Sequence, residues 1–148
     1  MRNSQRLASD SIGSNAKFAV LFSSGREFIF GDGFFHNLTA VVDRPQLPVI
    51  IAPITPGITV VIVRPMSYMT EPRLSTLVLN KAEVDVCNDG VQVYARNALF
   101  FRRDRPDIDD AFAWAQHLRY ANWDNPMSEL ARSIPGIPLH GASFWCLT

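Results

Sequence analysis

The chain has 148 residues, 47% of them hydrophobic, which excludes a disordered protein and fits one folded domain. Fourteen basic residues balance fourteen acidic ones, so no net positive field draws the whole protein to nucleic acid. Two cysteines are too few for a disulfide framework or a metal motif, and no apolar run reaches the ~20 residues of a membrane-spanning helix. We therefore expect a reduced, cytoplasmic protein.

The first part of the chain predicts strands after a polar N-terminal segment. Residues 1–15 are polar and rich in Ser and Asn, which is typical of a flexible tail. Two short apolar runs, 17–22 and 26–30, are joined by Ser23-Ser24-Gly25, and this spacing predicts a β-hairpin. A further edge strand is expected at 38–42.

The stretch from Leu47 to Pro65 predicts the centre of the sheet. It holds two apolar runs rich in β-branched residues, 49–52 and 58–63, with a Pro/Gly cluster between them. Neither run alternates with polar residues, which predicts central strands covered on both faces. Residues 75–79 are expected to form another short strand.

The second half of the chain predicts helices. Asn80 followed by Glu83 resembles a capping box, so we expect a helix to begin directly after Asn80. The turn-forming run 88–90 is expected to break this helix, and residues 99–101 are expected to form a short buried strand after it.

Two more helices are predicted nearer the C-terminus. Residues 107–118 combine an acidic first turn with apolar residues at helical spacing, and Pro126 suits the first position of a short helix that ends at Ser133. The apolar end at 144–147 is expected to dock on the fold or to bind a partner. Strands in the first half and helices in the second predict a single α+β domain over 16–148, with a mostly antiparallel sheet packed by two or three helices.

Three short motifs follow one another through the middle of the chain. They are the run Phe-Ile-Phe-Gly-Asp-Gly-Phe at 28–34, Pro-Ile-Thr-Pro at 53–56, and Asn88 followed by Ala95 and the Phe pair at 100–101. Their order and spacing resemble the C-terminal half of the bacterial domain-of-unknown-function family DUF4238, in which the first two motifs read apolar pair-Thr-Ser-Asp-Asn-Pro and Pro-Leu-Ser-Pro. The family's usual opening, His-Tyr-Val-Pro-Gln, is missing here. The resemblance implies a fold and a bacterial or phage setting, and it implies no reaction.

Asp32, between Gly31 and Gly33, is the leading candidate for a functional residue. A carboxylate at the end of a strand, on a loop with unhindered backbone, can bind a cation, a ribose hydroxyl or a substrate amide, and His36 follows closely. We favour the simpler interpretation, in which Asp32 caps the turn with its own side chain and the glycines supply positive φ.

Two further groups of residues are candidates for binding. Arg96 and Arg102 stand beside aromatic residues and could hold single-stranded RNA or a phosphate, but nearby aspartates offset their charge and favour a solvated rim. Four residues of types that are common in protein interfaces form the second group: Met66, Tyr68, Met69 and Trp145. They could contact a partner, or they could fold back on the domain.

The sequence shows no nucleophile with a base, no paired carboxylates and no metal-ligand spacing, so we predict no catalytic residue, cofactor or metal. Charged residues make up only 19%, which is consistent with apolar surface left for a partner. We therefore expect a macromolecule-binding module, such as a small inhibitor or accessory protein, with a protein or ribonucleoprotein partner; a homodimer is also open. The alternative is an enzyme, or the remnant of one, that acts on a small anionic or nucleotide-like substrate at the Asp32 loop.

Overall fold

A computed structural model describes residues 16–36, 49–63, 71–103 and 125–137. Its strands are β1 (Lys17–Ser23), β2 (Phe30–Gly31), β3 (Phe35–His36), β4 (Val49–Thr55), β5 (Ile58–Val63), β6 (Leu74–Leu79) and β7 (Leu99–Phe100), and its helices are α1 (Lys81–Tyr94) and α2 (Pro126–Arg132). Five strands form one sheet in the order β3-β4-β5-β1-β6, and β2 pairs with β7 in a separate ribbon. The predicted α+β fold is confirmed: a mostly antiparallel sheet from the first half, with helices later in the chain. The predictions for 1–15, 38–42 and 107–118 lie outside the described residues.

The strands β4 and β5 form a hairpin at the middle of the sheet, as their apolar runs predicted. They pair antiparallel with Ile51 opposite Val61, and a register shift between Pro53 and Thr55 marks a bulge beside the turn. Pro53 has no N–H to give to the ladder, so a bulge is where it fits into a strand. The next strand across the sheet is β1, which pairs antiparallel with β5 and parallel with β6.

The predicted hairpin between 17–22 and 26–30 is wrong. Both edges of β1 are already occupied, by β5 and by β6, so the segment after the turn at Ser24 leaves the sheet. It crosses to α1 instead, where the Ile29 N–H donates to the Asn88 side chain at 3.0 Å and the Asn88 amide donates to the Glu27 carbonyl at 3.0 Å. Phe28 and Ile29 are each 1% exposed, so burial of these side chains directs the segment.

The helix α1 begins as its capping box predicted. The Asn80 side chain accepts from the Glu83 N–H at 3.1 Å, and the Glu83 carboxylate accepts from the Asn80 N–H at 2.8 Å. The predicted break at 88–90 is wrong, because the helix continues to Tyr94. Gly90 costs helix propensity there but leaves room for Met127 of α2, whose Cε would lie 2.0 Å from a Cβ at this position.

The hydrophobic core lies on one face of the sheet, beneath the two helices. Side chains from β1, β3, β4, β5 and β6 meet side chains from α1 and α2 and the turn after α2, among them Ala19, Leu21, Phe35, Val61, Val63, Leu79, Val84, Met127, Leu130 and Ile134. Lys17 is buried at the rim of this face, where its Nζ donates to the Pro72 carbonyl at 2.6 Å. None of the helices in the described part of the chain is long and apolar enough to cross a membrane.

The two remaining predictions concern the strand at Leu99 and the last short helix. The strand at Leu99 is confirmed, but its burial is not: Phe100 is 60% exposed, since β7 pairs with the short β2 outside the main sheet. The last short helix is confirmed as α2, where Pro126 takes the first position and the Asn125 side chain accepts from the Ser128 N–H at 2.9 Å.

Candidate functional site

The Asp32 carboxylate is bound by the backbone that follows α1. Its Oδ1 accepts from the Arg96 N–H at 2.7 Å and from the Asn97 N–H at 3.2 Å. Its Oδ2 accepts from the Asn97 N–H at 3.0 Å and from the Asn97 side-chain amide at 3.1 Å. Asp32 therefore caps a turn 64 residues away in the chain, not its own turn. Of the predicted binding residues, the structure brings together Gly31, Asp32, Gly33 and Arg96, the last through its backbone.

The two glycines beside Asp32 are required by close packing. Neither glycine has a positive φ; among the described residues, Gly136 has one. A Cβ on Gly33 would lie 2.0 Å from the Tyr94 carbonyl oxygen, and a Cβ on Gly31 would lie 2.9 Å from the Ala95 Cβ. The expectation that these glycines supply positive φ is thus wrong. They let the backbone of this loop touch the end of α1.

Arg102 pairs with Glu27 on the same side of the molecule. The Arg102 Nε donates to Glu27 Oε1 at 2.9 Å, a second guanidinium nitrogen donates to the same oxygen, and the Arg103 N–H donates to Oε2 at 3.2 Å. This arrangement fastens the segment before β2 to the segment after β7. The Arg102 guanidinium is thus held as a structural cation more than as a free anion-binding group.

The pKa values of two carboxyl groups in this loop region, those of Asp32 and Glu27, are lowered from their ordinary range. Hydrogen bonds from the backbone N–H groups of Arg96 and Asn97 lower the pKa of Asp32, because they stabilise its charged form. The hydrogen bond and charge of Arg102 lower the pKa of Glu27 in the same way. A depressed carboxyl pKa does not suit a general base or acid that works near neutral pH.

His36 lies at the edge of the sheet among aromatic rings. Its ring centroid is 5.6 Å from that of Tyr94 and 6.4 Å from that of Phe34. Its buried Nδ1 has no hydrogen-bond partner, and burial lowers the pKa of the imidazole, so the ring is held neutral. Within the described ranges no group of three His, Cys, Asp or Glu side chains could hold a metal ion. The candidates Met66, Tyr68, Met69 and Trp145 lie outside those ranges.

The face of the sheet opposite the helices is apolar as well. The registers of β1, β4, β5 and β6 align ten apolar side chains and Thr76 here, and we call this set the open face: Phe18, Val20, Phe22, Ile50, Ala52, Ile58, Val60, Ile62, Leu74, Thr76 and Val78. At its β3 side the face continues to His36, opposite Ile50, and beside the bulge to Thr55, opposite Ile58. Exposure increases toward β6. The side chains of β4 and the middle of β1 and β5 are half-buried, whereas Phe22 is 38%, Leu74 61% and Val78 71% exposed. The strands β4 and β5, which were predicted to be covered on both faces, are half-buried on the open face, and the exposed part of this face lies at β6.

Among the described strands, β6 also has backbone N–H and C=O groups that are unpaired at the edge of the sheet. The Phe18 N–H donates to the Arg73 carbonyl and the Ser24 N–H to the Leu79 carbonyl, which fixes the parallel ladder between β1 and β6. In that ladder Ser75, Leu77 and Leu79 turn their N–H and C=O groups toward β1. The same groups of Leu74, Thr76 and Val78 point away from it, and we call them the outer edge of β6. Among the described strands none pairs with this edge.

Sequence reasoning missed Leu74, Thr76 and Val78 as candidate site residues. The signal was present in the strands themselves: apolar residues fill the alternate positions of β1, β4 and β5 that face away from the core. Such a pattern indicates that both faces of the sheet are apolar, but it does not identify what covers the second face. Searches of protein-family models, of curated proteins and of solved structures match nothing to this chain. The resemblance to DUF4238 thus stays a prediction that rests on its motifs.

Proposed function

We propose that this domain is a protein-binding module and that the open face, at its β6 side, receives the partner. The observation that carries the proposal is the exposure of Phe22, Leu74 and Val78 on one continuous apolar surface. Large exposed apolar patches are uncommon on proteins that act alone, because their contact with water is unfavourable. Burying one such side chain fully contributes about 1.5–3 kcal/mol.

The chemistry of the open face favours a protein partner over nucleic acid. No Lys, Arg, Asp or Glu belongs to the face, so it offers nothing to neutralise a phosphate backbone. An uncharged, apolar protein surface is the partner that can cover it without leaving a buried charge unpaired. In a bacterial or phage setting, such a module would serve as a small inhibitor or accessory protein.

The alternative function, an enzyme at the Asp32 loop, has less support. The Asp32 carboxylate already accepts four hydrogen bonds from Arg96 and Asn97, and Arg102 is engaged by Glu27. These groups hold the loop in place, and a substrate would have to compete with them. The geometry therefore supports a structural use of the same residues.

The experiment compares two lysine variants with the wild-type protein. Tagged wild-type protein, Val78→Lys and Ala82→Lys are used to capture proteins from a bacterial lysate, and each captured protein is then purified and its binding measured directly. Ala82 is exposed on α1, so Ala82→Lys adds the same charge away from the open face. We expect a stoichiometric partner that binds wild-type protein and Ala82→Lys and binds Val78→Lys at least tenfold more weakly. Equal binding to all three proteins would overturn the proposal.

A further inference from the structure

Within the part of the chain that the structure describes, strand β6 is an edge strand that lacks the usual protections against pairing. Natural edge strands are protected by charged side chains, proline, bulges or a covering segment. The sequence Leu-Ser-Thr-Leu-Val-Leu of β6 has no charge and no proline, and its register with β1 is regular over its whole length. Leu74 and Val78 are exposed, and none of the described residues covers their side chains.

The outer edge of β6 is complementary to itself. If two copies pair antiparallel about Thr76, each Leu74 lies opposite the Val78 of the other copy and the two Thr76 residues face one another. All three positions point their N–H and C=O groups outward, so each opposed pair exchanges two hydrogen bonds. The side-chain pairs would be Leu–Val, Thr–Thr and Val–Leu, which are favourable cross-strand neighbours with no like charges opposed.

We propose that the chain forms a homodimer in which β6 of one copy pairs with β6 of a second copy about a two-fold axis at Thr76. The five-stranded sheet then continues across the axis into the second copy, and the two open faces join on one side of it. An isologous contact of this kind closes on itself and leaves no further edge at β6 for growth into a fibre. The inference deepens the proposed function by naming a second copy as the partner of the outer edge, while the open face is left for another protein.

The direct test is a disulfide that can form only in this register. Opposed residues of a hydrogen-bonded antiparallel pair have Cα atoms about 5.5 Å apart, within the range that a disulfide spans. Thr76→Cys should therefore crosslink two copies under mild oxidation. The control is Val78→Cys, which is also exposed but would lie about 14 Å from its own counterpart across the axis.

Both variants are made in a Cys146→Ser background with purified protein at micromolar concentration. The native Cys87 does not interfere, because it is buried and burial raises the pKa of its thiol to about 12. We expect covalent dimer from Thr76→Cys in at least tenfold excess over Val78→Cys. Equal crosslinking of the two variants, or none from either, would overturn the proposed register.

A proline variant tests the same contact in a protein without new cysteines. Thr76→Pro removes an N–H that points away from β1, so the ladder within the chain is kept and thermal stability should change little. Two of the six hydrogen bonds across the axis are lost, which should weaken dimerisation about twenty-fold in sedimentation analysis. A monomeric wild-type protein, or a Thr76→Pro dimer as tight as the wild-type dimer, would contradict the proposal. Crosslinking of Thr76→Cys reports on the contact between two copies, whereas the comparison of Val78→Lys with Ala82→Lys reports on a different captured protein, so the two proposals fail separately.

Discussion

At the scale of single residues, the loop around Asp32 is shaped by contacts with the end of α1. Gly33 approaches the Tyr94 carbonyl so closely that no side chain fits, while the Asp32 carboxylate accepts from the backbone N–H groups of Arg96 and Asn97. The sequence drew attention to these residues because Asp and Gly are favoured in turns. It could not give the reason, because the contacting residues lie more than 60 positions further along the chain.

A pair of glycine substitutions tests this close approach. Gly33→Ala should destabilise the protein by about 1–3 kcal/mol, because the backbone at Tyr94 must shift to admit a methyl group. Gly57→Ala is the control: a Cβ there meets nothing within 4 Å, and its φ is not positive. The control should be neutral, or stabilising by up to about 1 kcal/mol. Urea unfolding measures both, and equal stabilities would contradict the geometry.

The Asp32 carboxylate should also affect how the stability of the protein depends on pH. Because its pKa is lowered in the folded protein, its contribution to stability is fully present above the ordinary carboxyl pKa and is lost as pH falls through the lowered value. Asp32→Asn should lower the Tm at neutral pH and reduce the loss of stability below about pH 4. Asn97→Ala should lower the Tm less, since it removes one of the four contacts. Thermal melts from pH 3 to 7 give both results; a wild-type Tm for Asp32→Asn would show that the hydrogen bonds do not matter for the fold.

At the scale of elements, α1 organises the segment that precedes β2. Its Asn88 is 4% exposed and satisfies two backbone groups of that segment, the Ile29 N–H and the Glu27 carbonyl. An Asn-Asp-Gly run predicts a turn from local preference alone. Here the tertiary hydrogen bonds of Asn88 and the packing of Met127 against Gly90 outweigh that preference, and the helix continues.

Replacing Asn88 should therefore lower the free energy of unfolding more than replacing a helix cap does. Asn88→Ala leaves two backbone groups without a partner in a poorly solvated position, and we expect a loss of about 2–4 kcal/mol. Asn80→Ala, at the exposed start of the same helix, should lose about 1 kcal/mol. Chemical denaturation of the two variants gives the comparison. An Asn88→Ala variant that is as stable as Asn80→Ala would contradict the bridging role.

The order of strands is the part of the fold that local sequence could not predict. Apolar runs correctly located β1, β4, β5 and β6, and a capping box located α1, because these signals are local. The pairing of β1 depends on β5 and β6, which lie some 40 to 60 residues away. A short turn after β1 suggested a hairpin, but the burial of Phe28 and Ile29 and the hydrogen bonds of their segment to Asn88 decide where it goes.

At the scale of the whole molecule, the sheet has a covered face and an open face, and both are apolar. The apolar runs of β4 and β5 indicated two apolar faces and predicted that both faces of these strands are covered. In the structure the helices α1 and α2 meet the core on one face, while exposure on the other face rises to 71% at Val78. This difference between the two faces supports a binding role for the domain.

Amide hydrogen exchange along β6 tests the pairing of two copies most directly. The amides of Ser75, Leu77 and Leu79 bond to β1 and should be protected at every protein concentration. The amides of Leu74, Thr76 and Val78 face outward, so we predict fast exchange in dilute protein and protection that rises with protein concentration. Outward amides that exchange fast at every concentration would show that β6 pairs with no second copy. Protection that does not depend on concentration would show that the chain itself covers this edge, and either result would contradict the pairing of β6 with a second copy.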